Sequence, residues 1–281
     1  MYKRQSLVFA EHLSNLIEEL DDQEFILFFD TVLEKYDIDE KALLRATNEY
    51  TKNKTQKNLE IISQLSEPGW RELFRRLNTI SEGTLKLVRM RERIRSLKKD
   101  SNNLHFFDRS LLILFKYWFN PSFLVLESID WTTPANILEK IIAYEAVHEI
   151  NSWDDLRARL APTDRKCFAF FHPLMPNEPL IFVEVALTNN MPDSISEVIK
   201  IDRPITQEQD INTAVFYSIS NCQEGLSGIS FGNFLIKNVA HKLKQENDGL
   251  DKFVTLSPMP GFSKWLDNKS CLLYTSPSPR D

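Results

Sequence analysis

The stretch Thr213–Phe262, TAVFYSISNCQEGLSGISFGNFLIKNVAHKLKQENDGLDKFVTLSPMPGF, decides how the chain is read. It breaks into a β-rich run from Ala214 to Ile219, a loop of small residues from Gln223 to Gly228, and an amphipathic helix over about residues 231–245. A short strand from Phe253 to Leu256 then runs into Ser257-Pro258-Met259-Pro260-Gly261-Phe262. Strand, loop and helix N-terminus in that order make an anion site, because first-turn N–H groups have no intrahelical partner and face outward. Gly225 and Gly228 let the backbone turn and approach a ligand where a Cβ would intrude. Two glycines before a helix are, taken alone, more often a plain connection than a phosphate cradle. No Gly-Lys-Ser/Thr follows and the spacing is not Gly-x-Gly-x-x-Gly, so neither a Walker loop nor a dinucleotide fold is indicated.

The rest of the chain narrows the setting. Its 281 residues, 42% hydrophobic and 26% charged, suit one large or two ordinary globular domains. A formal net charge of −6 argues against a nucleic-acid partner. Three cysteines, Cys167, Cys222 and Cys271, cannot make a disulfide framework, and no Cys/His ligand spacing appears, so a reduced compartment and no metal are expected. No apolar run reaches a membrane span and MYKRQSLVFAEHL is not a signal peptide, so neither membrane insertion nor secretion is expected.

Residues 1–103 read as an all-helical bundle. Leu13, Leu16, Ile17 and Leu20 fall at helical spacing, as do Phe25, Phe28, Phe29, Val32 and Leu33. Asp37-Ile38-Asp39 breaks the pattern with an N-cap, and Pro68-Gly69-Trp70 makes a turn before Leu73, Phe74, Leu77 and Ile80. In LKLVRMRERIRSLKKD, Leu87, Met90, Ile94 and Leu97 supply an apolar stripe. The basic residues Arg89, Arg91, Arg93, Arg95, Lys98 and Lys99 then read as a solvated face rather than a phosphate patch. The apolar stripes exceed what a small bundle needs to cover itself, which marks an association domain. From residue 104 to 266 the pattern is mixed. An apolar helix runs to Trp118, strands follow at Phe123–Glu127, Cys167–His172 and Leu180–Leu187, and helices lie at Pro134–Glu145 and Trp153–Leu160. The expected fold is therefore α+β. After Trp265 the periodicity stops, and residues 267–281, ending TSPSPRD, read as a non-native tail.

Gln-Glu-Gly-Leu-Ser-Gly resembles the Gln/Arg-x-x-Gly-x-Gly/Ala loop of the GNAT acyltransferase superfamily, whose backbone amides hold the pyrophosphate of coenzyme A. The flanks sharpen this. FYSIS, QEGLSGISFGNFLIK and TLSPMPGFSKWL resemble the malonyl-CoA decarboxylase family, which carries a GNAT-like catalytic domain, and so do Trp118-Phe119, Phe123-Leu124, Glu127, Glu145-Ala146-Val147-His148 and Glu178-Pro179-Leu180. The resemblance spans most of the chain beyond about residue 65. It implies that malonyl-CoA is converted to acetyl-CoA and CO₂ in fatty-acid metabolism, with coenzyme A part of the substrate and no separate cofactor. It implies a coenzyme A contact through Gln223, Glu224, Gly225, Leu226, Ser227, Gly228 and Ile229, and a homo-tetramer built partly through the helical domain. It also implies that residues 104–266 form an incomplete GNAT-like domain of a C-terminally truncated chain. The compartment would be cytoplasmic in a bacterium, and mitochondrial, peroxisomal or cytosolic in a eukaryote.

Ser257, at a strand end and before Pro258, would by position alone be a turn residue; in the resemblance it matches the active-site serine. No Gly-x-Ser-x-Gly surrounds it, so no acyl-enzyme is indicated. Decarboxylating a malonyl thioester requires a held carboxylate, a stabilised enolate oxygen and a proton for carbon. Backbone amides near Ser218–Ser220 can supply part of the oxyanion stabilisation. The family's proton-donating histidine lies downstream of this chain, so the chain alone is expected to be inactive. His12, His105, His148, His172 and His241 read as structural or solvated. Two other readings stand beside this one: a GNAT-type N-acyltransferase, and a non-catalytic protein that binds coenzyme A or a protein partner.

Overall fold

The computed structural model describes residues 2–259 and 261–273. Helices come first: α1 (Tyr2–Glu19), α2 (Asp22–Tyr36), α3 (Glu40–Lys52), α4 (Gln56–Leu65), α5 (Gly69–Asn78), α6 (Gly83–Leu97) and α7 (Asn102–Trp118). Strands and helices then mix: β1 (Val125–Ile129), α8 (Ala135–Tyr144), α9 (Trp153–Leu160), β2 (Arg165–Phe171), β3 (Ile181–Thr188), α10 (Ile195–Ile199), β4 (Thr213–Asn221), α11 (Gly232–Glu246), β5 (Lys252–Thr255) and α12 (Phe262–Leu273). This is the α+β order that the hydrophobic pattern predicts. Two details differ. Pro121–Phe123 forms a 3-10 turn, so β1 begins at Val125, because proline at the first position fixes a helical φ and withholds a strand donor. Residues 267–273, where the pattern shows no periodicity, continue α12; the remainder of the predicted tail, 274–281, lies outside the described residues.

The chain divides into two compact units that alternate along the sequence. One holds Met1–Leu126 together with Phe170–Ile181 and Asn221–Asn233; the other holds Glu127–Ala169, Phe182–Ser220 and Phe234–Asp281. The predicted helical segment thus shares its unit with the loop after β4.

In the helical unit, capping residues set the breaks. Asp21 accepts from the Gln23 and Glu24 N–H groups while Glu24 reaches back to the Asp21 N–H, and Asp39 accepts from the Ala42 N–H. The i,i+4 pairs Phe25/Phe29 and Trp70/Phe74 put their rings on one face, where they meet Phe107. Ring centroids lie 4.7 Å apart for Phe29–Phe107, 5.6 Å for Trp70–Phe107 and 6.0 Å for Phe74–Phe107, mostly edge to face. Helix α6 corrects the sequence reading. Arg91 is 1% exposed, not solvated. Arg93 lies over the Phe25 ring and pairs with Asp22, Arg95 pairs with Glu224 and Lys98 with Asp108, which leaves Arg89 and Lys99 exposed. The reason is positional: Arg91 sits four residues after Leu87 and three before Ile94, on the apolar stripe itself.

The five strands form one sheet in the order β1-β2-β3-β4-β5. Residues Ile181–Leu187 of β3 are all buried, as their near-continuous apolar run requires of a central strand. Glu184 interrupts that run. It is 0% exposed and pairs with the buried Arg159 at 3.2 Å. Arg159 also donates to the carbonyls of His148 (2.7 Å) and Glu149 (3.0 Å) and to Asp155 (3.1 Å). Strand β5 runs parallel to β4, with Thr213 opposite Lys252 and Phe216 opposite Thr255.

Burial raises the Glu184 carboxyl to about 7, against the pull of Arg159 toward ionisation. The folded protein therefore keeps a proton that the unfolded chain, titrating near 4.5, has already released. Stability should fall as pH rises through that window. Glu184→Gln removes the effect, so its unfolding free energy relative to the parent should move in its favour by up to about 3 kcal/mol between pH 5 and pH 8. Urea titrations of both proteins across that range are the check; parallel pH profiles would show Glu184 to titrate normally.

Candidate functional site

The loop after β4 is shaped by its contacts with α6. A 3-10 turn, Glu224–Leu226, leads into a tight turn over Leu226–Ile229 closed by the Ile229 N–H to the Leu226 carbonyl at 3.1 Å. Ser227 has φ −53° and ψ 135°, and Gly228 has φ +91°, which makes this a type II turn. A positive φ at the third position is what glycine supplies there. The Gly228 N–H has no acceptor among the described residues, and Gly228 is exposed. Helix α11 starts four residues later, at Gly232. The loop residues Gln223, Glu224, Leu226, Ser227, Gly228 and Ile229 all line one small polar cleft.

Gly225 is a correction. Its predicted role was to admit a ligand, but a Cβ at this position would lie 2.0 Å from the Val88 carbonyl oxygen of α6. The missing side chain lets the loop lie against a helix backbone. Gln223 also faces inward, donating from Nε2 to the Pro179 carbonyl at 3.0 Å. Glu224 is exposed and pairs with Arg95 at 2.8 Å, while Gly225 and Leu226 are buried. Of the predicted loop residues, Gly228 is open, with Ser227 and Ile229 half-buried on either side of it.

Beneath the loop lies the residue that the sequence reading missed. Arg91 Nη1 donates to the Gly225 carbonyl at 2.6 Å and to the Ser227 carbonyl at 2.9 Å. Its other face pairs with Asp108 at 2.9 Å, and Lys98 donates to the second oxygen of Asp108 at 2.8 Å. Burial alone would push the Asp108 carboxyl up; the hydrogen bond from Lys98 and the charge of Arg91 outweigh it and hold the group below the usual carboxylate range. The signal was available in the helical register of Arg91, although its partners were not.

Ser257 belongs to the sheet unit. The last bond between β5 and β4 runs from the Leu256 N–H to the Phe216 carbonyl at 2.9 Å, and pairing ends there because Pro258 has no N–H. Ser257 is exposed at the carboxyl end of the β5 strand. Beyond Phe216, β4 carries two buried serines, Ser218 and Ser220. Ser218 donates to both Glu145 oxygens at 2.7 and 2.8 Å, and Ser220 donates to one at 3.2 Å. Glu145 also accepts the Val147 and His148 N–H groups at 2.9 and 2.7 Å. The 145–148 turn is therefore tied to β4 by one buried carboxylate.

His172 is buried against Phe119, accepts the Leu174 N–H at Nδ1, and is held below its ordinary pKa by burial, which fits a structural histidine. His12, His105 and His241 are exposed on helices and His148 is half-buried. Among the described residues no group of three or more His, Cys, Asp or Glu side chains is arranged to hold a metal ion.

Comparison with known proteins places these features. Residues 36–119 match the family model of the malonyl-CoA decarboxylase N-terminal domain, and residues 122–276 that of the C-terminal domain. The mitochondrial malonyl-CoA decarboxylase of Anser anser anser is 38% identical over 205 residues, covering 71% of this chain and 40% of that protein. That of Rattus norvegicus is 37% identical, over 71% of this chain and 42% of the relative. The crystal structure of malonyl-CoA decarboxylase from Rhodopseudomonas palustris superposes with a TM-score of 0.87 at 45% identity, over 98% of this chain and 66% of that one. The one from Agrobacterium vitis gives 0.89 at 44% identity, over 99% and 68%. The chain thus spans about 40% of the length of the curated relatives it matches.

Gly225→Ala should lower stability by about 1–3 kcal/mol, because the methyl group must displace helix backbone. Gly228→Ala should cost about 1–2 kcal/mol through its left-handed φ alone. Urea denaturation of the two variants is the check. An undisturbed midpoint for Gly225→Ala would mean that the loop does not rest on α6.

Proposed function

The chain belongs to the malonyl-CoA decarboxylase family, and from that premise we propose that it binds malonyl-CoA and carries part of the machinery that converts it to acetyl-CoA and CO₂. The observation that supports this most directly is the turn at Ser227–Gly228, which presents an exposed backbone N–H, without an acceptor among the described residues, four residues before a helix. An N–H donor and a helix N-terminus suit a pyrophosphate. In this reading Gly228, Ser227 and Ile229 touch the ligand, while Gln223, Gly225 and Leu226 hold the loop and Glu224 is neutralised by Arg95. Ser257 acts at the malonyl end. It stands at the carboxyl end of a parallel pair of strands, the end at which open α/β sheets bind ligands.

The chemistry asks little of the protein beyond position and charge. The bond between the carboxylate carbon and the methylene carbon breaks, CO₂ departs, and the electron pair moves into the thioester carbonyl as an enolate. The enolate then takes a proton at carbon. The Ser257 hydroxyl donates a hydrogen bond to the carboxylate or steers that proton, and donors placed at the enolate oxygen lower the barrier. None of the histidines of this chain is assigned as proton donor. No separate cofactor enters this scheme, because the thioester is itself the electron sink.

We place an association domain at residues 1–103 and the catalytic segment at 104–266. Phe9, Leu13, Phe28, Tyr36 and Leu73 line an apolar groove on the helical unit, and Phe9, Leu27 and Leu44 are 70%, 65% and 63% exposed. Such surface calls for cover by another subunit. We assign the protein to the cytoplasm in a bacterium, or to mitochondria, peroxisomes or cytosol in a eukaryote. No helix among the described residues is long and apolar enough to cross a membrane.

Two measurements test this reading. In the intact gene product, Ser257→Ala should lower kcat for acetyl-CoA formation by roughly 10²-fold or more while leaving coenzyme A affinity nearly unchanged, since the hydroxyl acts on the malonyl end. A variant with full turnover would remove Ser257 from the mechanism. Light scattering should report a homo-tetramer, and a strict monomer would remove the assembly role of the helical segment.

A further inference from the structure

We infer that Arg91 is the positioning residue of the loop: its buried guanidinium selects the peptide orientation at Ser227–Gly228 that turns the Gly228 N–H toward an anion. The inference rests on the coenzyme A reading above and deepens it.

Type I and type II turns differ chiefly in the orientation of their central peptide. Here that peptide joins Ser227 to Gly228, and its carbonyl is the one Arg91 holds at 2.9 Å. In a trans peptide the N–H points opposite to the C=O. Drawing the Ser227 carbonyl inward to Arg91 therefore drives the Gly228 N–H outward, where it has no acceptor among the described residues. A peptide flipped to the type I orientation would bury that N–H against α6 and leave the guanidinium short of an acceptor. The same Nη1 takes the Gly225 carbonyl at 2.6 Å, at the point where the absent Cβ lets the loop touch Val88. Both carbonyls are thus gathered by one rigid donor group. The guanidinium cannot move to suit a flipped peptide, because Asp108 pairs with its far side at 2.9 Å and Asp108 is itself held by Lys98. Arg91 is 1% exposed and meets no ligand. It acts through the loop backbone.

Lysine is the telling substitution. Arg91→Lys keeps the positive charge opposite Asp108, but its compact ammonium lacks the planar fork that meets Asp108 and both carbonyls at once. With seven glycines in the chain, ¹⁵N-glycine labelling yields few backbone signals, and Gly228→Ala identifies the one that matters. In the unsubstituted protein the Gly228 signal should shift on addition of coenzyme A and of inorganic pyrophosphate. In Arg91→Lys, with an unchanged circular dichroism spectrum, that response should be lost and calorimetric affinity for coenzyme A should fall about tenfold or more, while affinity for pantetheine, which has no pyrophosphate, stays within about twofold. Equal coenzyme A affinity in a folded Arg91→Lys overturns the role of Arg91 and leaves the coenzyme A reading standing. An unsubstituted protein that binds no coenzyme A overturns both. Should Arg91→Lys fail to fold, the unsubstituted protein decides: a Gly228 signal that ignores both ligands while coenzyme A binds elsewhere overturns the inference.

Discussion

A guanidinium cannot be taken out of water without partners, and this constraint at Arg91 governs the helical unit and its loop. Leaving a buried charge unpaired costs several kcal/mol, so every donor direction must be met. Here the partners come from separate segments of chain: the carboxylate and backbone carbonyl of Asp108 on α7, and the carbonyls of Gly225 and Ser227 on the loop. Each partner is fixed in turn. Asp108 takes Lys98, and the loop can come close enough only because residue 225 has no side chain. A loop that would otherwise sample many conformations is thereby held in one, at the cost of a buried ion pair whose net stabilisation is small. Its value lies in specifying geometry.

The sheet unit repeats this logic around different charges. Glu184 on β3 and Glu145 beside β4 are both buried carboxylates, yet they are satisfied differently. Glu145 receives two serine hydroxyls and two backbone N–H groups. Glu184 is fully buried with Arg159 on one oxygen, and burial outweighs that pull, so its carboxyl is raised to about 7. The outcome is a β4 strand whose polar face is tied at Ser218 and Ser220 while its pairing with β5 stops at Phe216.

Much of this was legible from residue pattern alone. The strand, loop and helix between Thr213 and Glu246, the helical first hundred residues, and the α9 helix at Trp153–Leu160 all follow from local periodicity and capping. These depend on neighbours within a few positions, which is what a linear pattern records. The family was also legible, because QEGLSG and LSPMPGF are specific strings. The predicted solvated face of α6 failed most completely at Arg91. An alternation of arginines along LVRMRERIR invites a surface reading, but helical register puts Arg91 between Leu87 and Ile94 on the inward side.

By itself, then, the sequence determined the order and type of the elements, the family, and the identity of the loop and serine to be tested. Tertiary structure alone decided which groups meet. Arg91 and Gly225 are 134 positions apart, and no periodicity links them. The same is true of Glu145 and Ser218, 73 positions apart. Gly225 appeared in sequence as a residue that makes room for a ligand, and in the fold it makes room for a helix. The physical reason is that a missing Cβ has no direction in a sequence. Only the packed neighbours, here the Val88 carbonyl, say what the vacated space is for.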